Sequence, residues 1–353
     1  YCGFPEVIVD FGMKFDLVYA LIMAFLLGIS LTFTFLGGQI AVMVTDFFQG
    51  IFVNAVFAVM GIFLLLFLFD WSVIMEAAAM APADASLINP LNTSNTDNFN
   101  VNYFLIQAFG AVYVFMAWQG NQGYYGSARS PHDARMGRLI GQLRPITQTL
   151  PLVLLPMCAW AFLHHADFAA EAVGAHAALD AIDSEQIRSQ LTVTVATAHF
   201  LPPVIAGLFA AVMLAAFIST HDTYLHSWGS IFIQDVVMPV RQNVLGDSSV
   251  LKPESHLKLL KTSIFGVAVF IFLFSLLFSQ QQDILMFFAL TGTISLGWAG
   301  AAIIGGLYWK HGTNAGAWSA AIIGVILAIG GWYSTYFWED ARLMISGIAP
   351  EWA

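Results

Sequence analysis

The chain has 353 residues, of which 59% are hydrophobic and 10% are charged, and its formal net charge is −10. Soluble domains are about 25% charged, so this composition excludes a protein whose whole surface faces water. We predict an all-α polytopic membrane protein, and we infer no partner from the net charge because most acidic residues lie in loops.

Eight apolar stretches are long enough to cross a bilayer as helices, for which about 20 residues are needed. They are continuous, whereas strands of a transmembrane barrel alternate in polarity. We therefore expect about eight transmembrane helices in one incomplete domain, residues 1–353. The stretches cover residues 15–35, 41–69, 102–125, 147–165, 201–238, 260–280, 284–308 and 314–334.

The distribution of basic residues predicts the orientation. Most Lys and Arg residues lie in the loops 126–146 and 239–259, whereas the loops 70–101 and 166–198 hold one, Arg188. Because cytoplasmic loops carry the excess of Lys and Arg, we expect the first two loops to be cytoplasmic and the last two extracellular. The segment 166–198 has the pattern of one or two short amphipathic helices.

The fifth stretch changes from apolar to polar without a turn residue. Ala216, Ser219, Thr220 and Thr223 share one helix face, since residues three and four apart are neighbours. Their oxygens form a patch that suits a hard cation such as Na⁺. Each hydroxyl could instead bond its own helix backbone, and one helix alone could not complete the site.

Two further residues of this stretch, His221 and Asp222, point elsewhere, and we expect water to reach them near the cytoplasmic end. Together with Ser219 and His226 they resemble an intramembrane hydrolase site. Ser219 and His221 lie about 200° apart on a helix, however, and a nucleophile must meet its base. We expect no enzyme activity.

The segment GGQIAVMVTDFFQG places Asp46 about two turns after a predicted turn at Gly37 and Gly38. A carboxylate at membrane depth is costly unless it is paired, hydrated or bound to a cation. Asp46 is therefore either a functional residue or an interfacial residue hydrated from the cytoplasm.

The third stretch ends in WQGNQG, residues 118–123, which is a poor membrane helix. A broken helix at membrane depth is tolerated where it lines a cavity or is buried in protein, and such breaks form binding sites in secondary transporters. The alternative is an ordinary helix end before the basic loop. In the seventh stretch, Thr291, Thr293, Ser295 and several glycines favour close helix packing over ligand contact.

Four segments, in this order and topology, resemble the sodium:solute symporter family, which includes bacterial proline and sialic acid symporters and sodium/glucose cotransporters. They are GGQIAVMVTDFFQG (37–50), WQGNQ (118–122), AFISTHDTYLHSWGSIFIQDV (216–236) and GLYWKHGTNAGAWSAAIIG (306–324).

The resemblance implies a leucine-transporter-type inverted-repeat fold. It also implies Na⁺ binding by the Ala216 carbonyl, Ser219 Oγ and Thr220 Oγ, with Thr223 in support and Asp46 at the acidic position implicated in Na⁺ coupling. The family's other half-site comes from a broken helix that would precede Tyr1. We expect this chain to be a fragment that does not transport by itself.

The resemblance further implies a solute site near Trp118, Gln119 and Asn121, to which Thr291 is a candidate contributor. Three positions lack the hydrogen-bonding groups of sugar-transporting members, namely Val114, Ala117 and Ala289. Arg144 lies close in the sequence pattern to the position of a substrate-side lysine in those members. This disfavours a sugar and leaves open an organic anion, an amino acid or another small polar solute.

The expected mechanism is Na⁺-coupled symport by alternating access in the plasma membrane, as in a bacterial inner membrane. The expected partners are Na⁺, a small solute and the bilayer, with no nucleic acid; the oligomeric state stays open. The alternatives are H⁺ coupling and a symporter-like sensor joined to a signalling domain. A channel would need a continuous polar lining or charged rings, which the stretches lack.

Overall fold

A computed structural model describes residues 8–10, 14–89, 91–92, 101–118, 120, 122–244, 246, 251–278 and 284–337. These residues are almost all helical, as the composition predicts. The departure from the all-α prediction is one short antiparallel hairpin, in which β1 (Ile8–Asp10) pairs with β2 (Lys14–Asp16).

The α-helices follow the hairpin in chain order, and two of them continue into π-helical segments, Leu64–Leu68 and Phe232–Val237. Their bounds are α1 Leu17–Phe63, α2 Trp71–Ala79, α3 Val101–Ala117, α4 Gln122–Gly126, α5 Pro131–Gly141, α6 Arg144–His164, α7 Val173–Asp180, α8 Glu185–Phe200, α9 Pro203–Ile231, α10 Met238–Asn243, α11 Pro253–Leu277, α12 Ile284–Tyr308 and α13 Asn314–Phe337.

Helices begin where the sequence supplies start signals. Ser130 is the N-cap of α5, where its side chain accepts a hydrogen bond from the Asp133 amide, and Pro131 follows it. Proline also stands at the first turn of α9 and of α11, where its missing N–H costs nothing. The predicted short helices of segment 166–198 correspond to α7 and most of α8.

Within the described residues, five helical segments are long and apolar enough to cross a membrane, rather than the eight predicted. The first two predicted crossings form one segment of 52 residues, and the third is interrupted after Ala117. The remaining predicted crossing, residues 284–308, is one helix of 25 residues, α12. The five segments are Leu17–Leu68, Pro131–His164, Pro203–Asn243, Pro253–Leu277 and Asn314–Gly331.

The long first segment is broken at Gly38, where the sequence predicts a turn. Gly38 has φ 55° and ψ −148°, a conformation outside the helical region. Side chains other than hydrogen are strained at this positive φ, so glycine allows the chain to stop one helix and start another within a few residues.

The chain forms two compact units. The first contains α1, α4, α5, the start of α6, and α9 to α11; there Leu27, Leu225, Ile264 and Ala268 form a buried core where α1, α9 and α11 meet. The second contains α2, α3, the rest of α6, α7, α8, α12 and α13. In that unit α12 packs against α3 and α13, and an aromatic cluster joins Phe69, Phe162, Phe168 and Phe200.

Gly229 of α9 packs closely against α11 in the first unit. A Cβ added there would lie 2.5 Å from Ile264 Cγ1 and 3.2 Å from the Ile264 backbone nitrogen. The Gly229 carbonyl also accepts a hydrogen bond of 3.3 Å from Ser263 Oγ. Small residues permit such close packing between membrane helices.

We therefore expect Gly229→Val to destabilise the first unit by about 1–3 kcal/mol, because the added methyl groups must displace buried Ile264. The matched control is Gly207→Val on the same helix, where nothing lies within 4 Å of the added Cβ. Thermal unfolding of the purified protein in detergent measures both. Equal losses for the two variants would contradict close packing at Gly229.

A candidate cation site around Asp46

The carboxylate of Asp46 lies within reach of three hydroxyl groups from two other helices. Ser219 Oγ of α9 donates to Asp46 Oδ1 at 2.5 Å, and Thr223 Oγ1 donates to Oδ2 at 3.2 Å. The Tyr124 hydroxyl of α4 also donates to Oδ2 and lies 2.8 Å from Thr223 Oγ1. We call these four residues the Asp46 cluster; all belong to the first unit.

The two hydroxyls of α9 are one helical turn apart, so both face α1. Many other hydroxyls of this chain bond their own helix, as Thr45 does to the Ala41 carbonyl at 2.9 Å and Thr291 to the Phe287 carbonyl at 2.7 Å. Ser219 and Thr223 instead reach the carboxylate because a charged acceptor forms a stronger hydrogen bond than a carbonyl does.

Asp46 is half-buried on a helix of very apolar composition. Burial of a charge costs several kcal/mol unless it is paired or hydrogen-bonded, and the three donors offset that cost. Each hydroxyl oxygen also has lone pairs that can face a cation once its proton turns away. Carboxylate and hydroxyl oxygens together are the ligand set that hard cations prefer.

The other predicted Na⁺ ligands lie near this cluster in sequence but do not join it. Ala216 is half-buried, and α9 runs through it without interruption. Thr220 is exposed, and no hydrogen bond links it to Asp46 in the described part of the chain. The described residues also contain no group of three or more His, Cys, Asp and Glu side chains of the kind that holds transition metals.

The expectation that water reaches Asp222 is wrong. Asp222 is fully buried, and neither of its carboxylate oxygens makes a normal hydrogen bond to a described residue, although Thr223 lies beside it in the chain. The tight packing of α9 against α1 and α11 covers this face. His221 is half-buried: its ring stacks on Phe217 at 3.9 Å, and its Nδ1 lies 2.9 Å from the Phe217 carbonyl.

Tyr124 is a member of the cluster that sequence reasoning missed. Its helix, α4, starts four residues after the Trp118 position where the preceding helix has ended. Ser227 Oγ donates to the Gly120 carbonyl at 3.2 Å, so α9 also satisfies a backbone group of the interruption. The signal available in the sequence was an aromatic hydroxyl directly after a helix break.

The predicted solute residues that the structure describes lie in the second unit. Val114 and Trp118 are partly exposed at the end of α3, and Ala289 and Thr291 lie on α12, which packs against α3. Ala117 is the last residue of α3. Two predicted solute residues, Gln119 and Asn121, lie outside the described residues.

Arg144 belongs to the first unit. It is exposed at the start of α6, and its carbonyl accepts a hydrogen bond of 3.0 Å from Thr147 Oγ1. The structure thus brings together the cation candidates Asp46, Ser219 and Thr223, and separately the packed helices α3 and α12 that carry solute candidates.

Multi-pass apolar helices with an ionisable group held among hydroxyls are features of membrane transporters that move ions or polar solutes. The chain belongs to the sodium:solute symporter family, whose family model matches residues 10–324. That family consists of transporters, which supports the expectation that the chain is not an enzyme.

Two curated relatives illustrate the similarity. The sodium/pantothenate symporter of Haemophilus influenzae is 26% identical over 83% of this chain and 54% of its own length. The sodium/proline symporter of Staphylococcus aureus is 23% identical over 90% of this chain and 57% of its own length. The chain therefore spans little more than half the length of these relatives. No solved structure matches it.

The cluster predicts a specific role for one hydroxyl in stability. We expect Tyr124→Phe to lower the free energy of unfolding by about 1–3 kcal/mol, because Asp46 loses a donor to a charged acceptor. Tyr125→Phe is the matched control, since the neighbouring ring keeps its contact with the Arg138 guanidinium, 5.9 Å from its centroid. Thermal unfolding in detergent measures both, and equal stability of the two variants would contradict the bond.

Proposed function

We propose that the full-length protein couples Na⁺ entry to uptake of a small polar organic solute by alternating access, with the Asp46 cluster as the cation-coupling site. The observation that carries this proposal is the Asp46 carboxylate on α1, held by hydroxyls from α9 and from the helix after the interruption. Family membership supports Na⁺ as the co-transported ion.

The driving force is sufficient for accumulation. One charge that crosses a potential of about 100 mV yields about 2.3 kcal/mol. At about 1.36 kcal/mol for each factor of ten, this supports roughly 50-fold accumulation for each Na⁺, and a Na⁺ concentration gradient adds to it.

Tyr124 offers a physical link between the cation and the solute. Its helix directly follows segment 118–121, where the solute is proposed to bind, and its hydroxyl bonds Asp46. A cation at Asp46 competes for the same carboxylate oxygens, so it changes the bond that holds α4 against α1. Cation binding and the position of the solute segment are thereby coupled.

For the solute, we propose a small organic acid or amino acid. The two relatives described above are named for pantothenate and proline, both of which carry a carboxylate. The apolar residues Val114 and Ala289 lack the many hydrogen-bonding groups that a sugar requires, which supports the same choice.

Uptake by the full-length chain, measured over a panel that includes proline, pantothenate and glucose, tests the proposal. We expect Na⁺-dependent uptake of a carboxylated solute. Loss of a hydroxyl ligand in Ser219→Ala is expected to raise the half-saturating Na⁺ concentration about tenfold or more, and Asp46→Asn to do so more strongly. Thr220→Ala tests the ligand that the family resemblance implies.

The matched control is Thr45→Val, which removes a hydroxyl next to Asp46 that bonds its own helix at Ala41. It is expected to leave the Na⁺ dependence unchanged. Na⁺-independent uptake, or an Asp46→Asn variant with unaltered Na⁺ dependence, would overturn the proposed site.

A second candidate, H⁺ coupling, is favoured by one observation, the full burial of Asp222 without a normal hydrogen bond. A carboxyl group is far cheaper to bury as the neutral acid than as a bare anion, so Asp222 is a candidate proton carrier. If H⁺ drives transport, an imposed pH gradient without Na⁺ should drive uptake, and Asp222→Asn should abolish that uptake. Uptake that requires Na⁺ under every pH gradient excludes this alternative.

A further inference from the structure

A groove of about 550 Å³ lies in the first unit between α11 and the end of α9 with its π-helical continuation. One wall is formed by Trp228, Phe232 and Val237, and the other by Leu259, Gly266 and Phe270. The large side chains of this set are exposed, with Trp228, Phe232 and Phe270 each at least half accessible. The groove is therefore an apolar recess that opens away from the core of this unit.

The two hydroxyl groups in the groove wall already have hydrogen-bond partners. Thr262 Oγ1 donates to the Lys258 carbonyl at 2.9 Å, and Ser263 Oγ donates to the Gly229 carbonyl at 3.3 Å. Apart from the Trp228 indole N–H, the groove thus offers hydrocarbon contact, which suits an acyl chain better than a polar solute.

The length of the groove matches one leaflet of a bilayer. Leu259 and Phe270 are eleven residues apart on α11, which corresponds to about 16 Å along a helix axis. A hydrocarbon core is about 30 Å thick, so one leaflet is about 15 Å deep. An acyl chain laid along α11 would be covered over most of its length.

Basic residues gather at one end of the groove. Lys258 precedes Thr262 by one turn, about 40° away around α11, and Lys252 stands at the N-terminus of the same helix. Arg241 follows Val237 by about one turn on α10. These three cations lie at the end where α9 finishes and α11 starts, which is where a phospholipid headgroup would be placed. Two acidic residues, Asp235 and Glu254, lie at the same end, and the basic residues outnumber them.

We propose that this groove binds an anionic phospholipid of the bilayer, with an acyl chain between Phe232 and Gly266 and the phosphate near Lys258 and Arg241. The charge complementarity favours an anionic lipid over a zwitterionic lipid or an apolar protein helix. Each basic residue near an anionic membrane surface contributes about 1 kcal/mol, which corresponds to about fivefold in binding.

Quenching of Trp228 tests the proposal, because this side chain lines the groove. The full-length protein is reconstituted with dibrominated phosphatidylglycerol or dibrominated phosphatidylcholine at equal mole fractions. The chain has 10 tryptophans, so the Trp228 signal is taken as the difference from Trp228→Phe. We expect at least about fivefold preference for the anionic lipid, and Lys258→Gln to reduce it about fivefold.

The matched control is Lys261→Gln, which removes the same charge from the same helix about 160° away from Leu259, whereas Lys258 lies about 100° away from Leu259. Lys261→Gln is expected to leave the preference for the anionic lipid within roughly twofold of the unmodified protein. Lys258→Arg keeps the charge and is expected to keep the full preference. Equal quenching by both lipids would mean ordinary lipid contact and would overturn the proposal. Absence of quenching by either lipid would mean that a protein segment covers the groove, which overturns it as well.

Discussion

The first unit depends on one constraint, a carboxylate placed among helices that are otherwise very apolar. Asp46 cannot be buried there without compensation, and the structure supplies it with hydroxyls from α9 and α4. These bonds join three chain segments that are far apart in sequence. The same oxygen-rich arrangement that stabilises the carboxylate is also the arrangement that a hard cation would use.

Two helix breaks allow the chain to form the Asp46 cluster. Gly38 ends one helical segment two turns before Asp46, and the break after Ala117 releases α4 to lie against α1 and α9. In an apolar environment each freed backbone group needs a new partner, and the bond from Ser227 to the Gly120 carbonyl meets that need. The helix breaks and the polar side chains around them therefore depend on each other.

Part of the candidate cation site could be predicted from helix periodicity, because Ser219 and Thr223 share a face in any regular helix. Periodicity also grouped Thr220 with them, yet Thr220 is exposed. Water was expected to reach Asp222 because of its position near the cytoplasmic end, yet Asp222 is fully buried. Tyr124 could not be found in this way, since its contact with Asp46 spans 78 residues of sequence. Of the eight predicted crossings, the first two lie in one helical segment of 52 residues, Leu17–Leu68, that is broken at Gly38.

The sequence by itself determined the membrane class, the helical content, the break at Gly38 and the family, because composition, apolar length and glycine placement act locally. It left open whether the segment after Ala117 is a broken helix or an ordinary helix end. Only the tertiary structure decided which hydroxyls face the Asp46 carboxylate and that Asp222 is covered. A helix repeat specifies which residues share a face, but the neighbouring helix that packs on that face is chosen by long-range contacts.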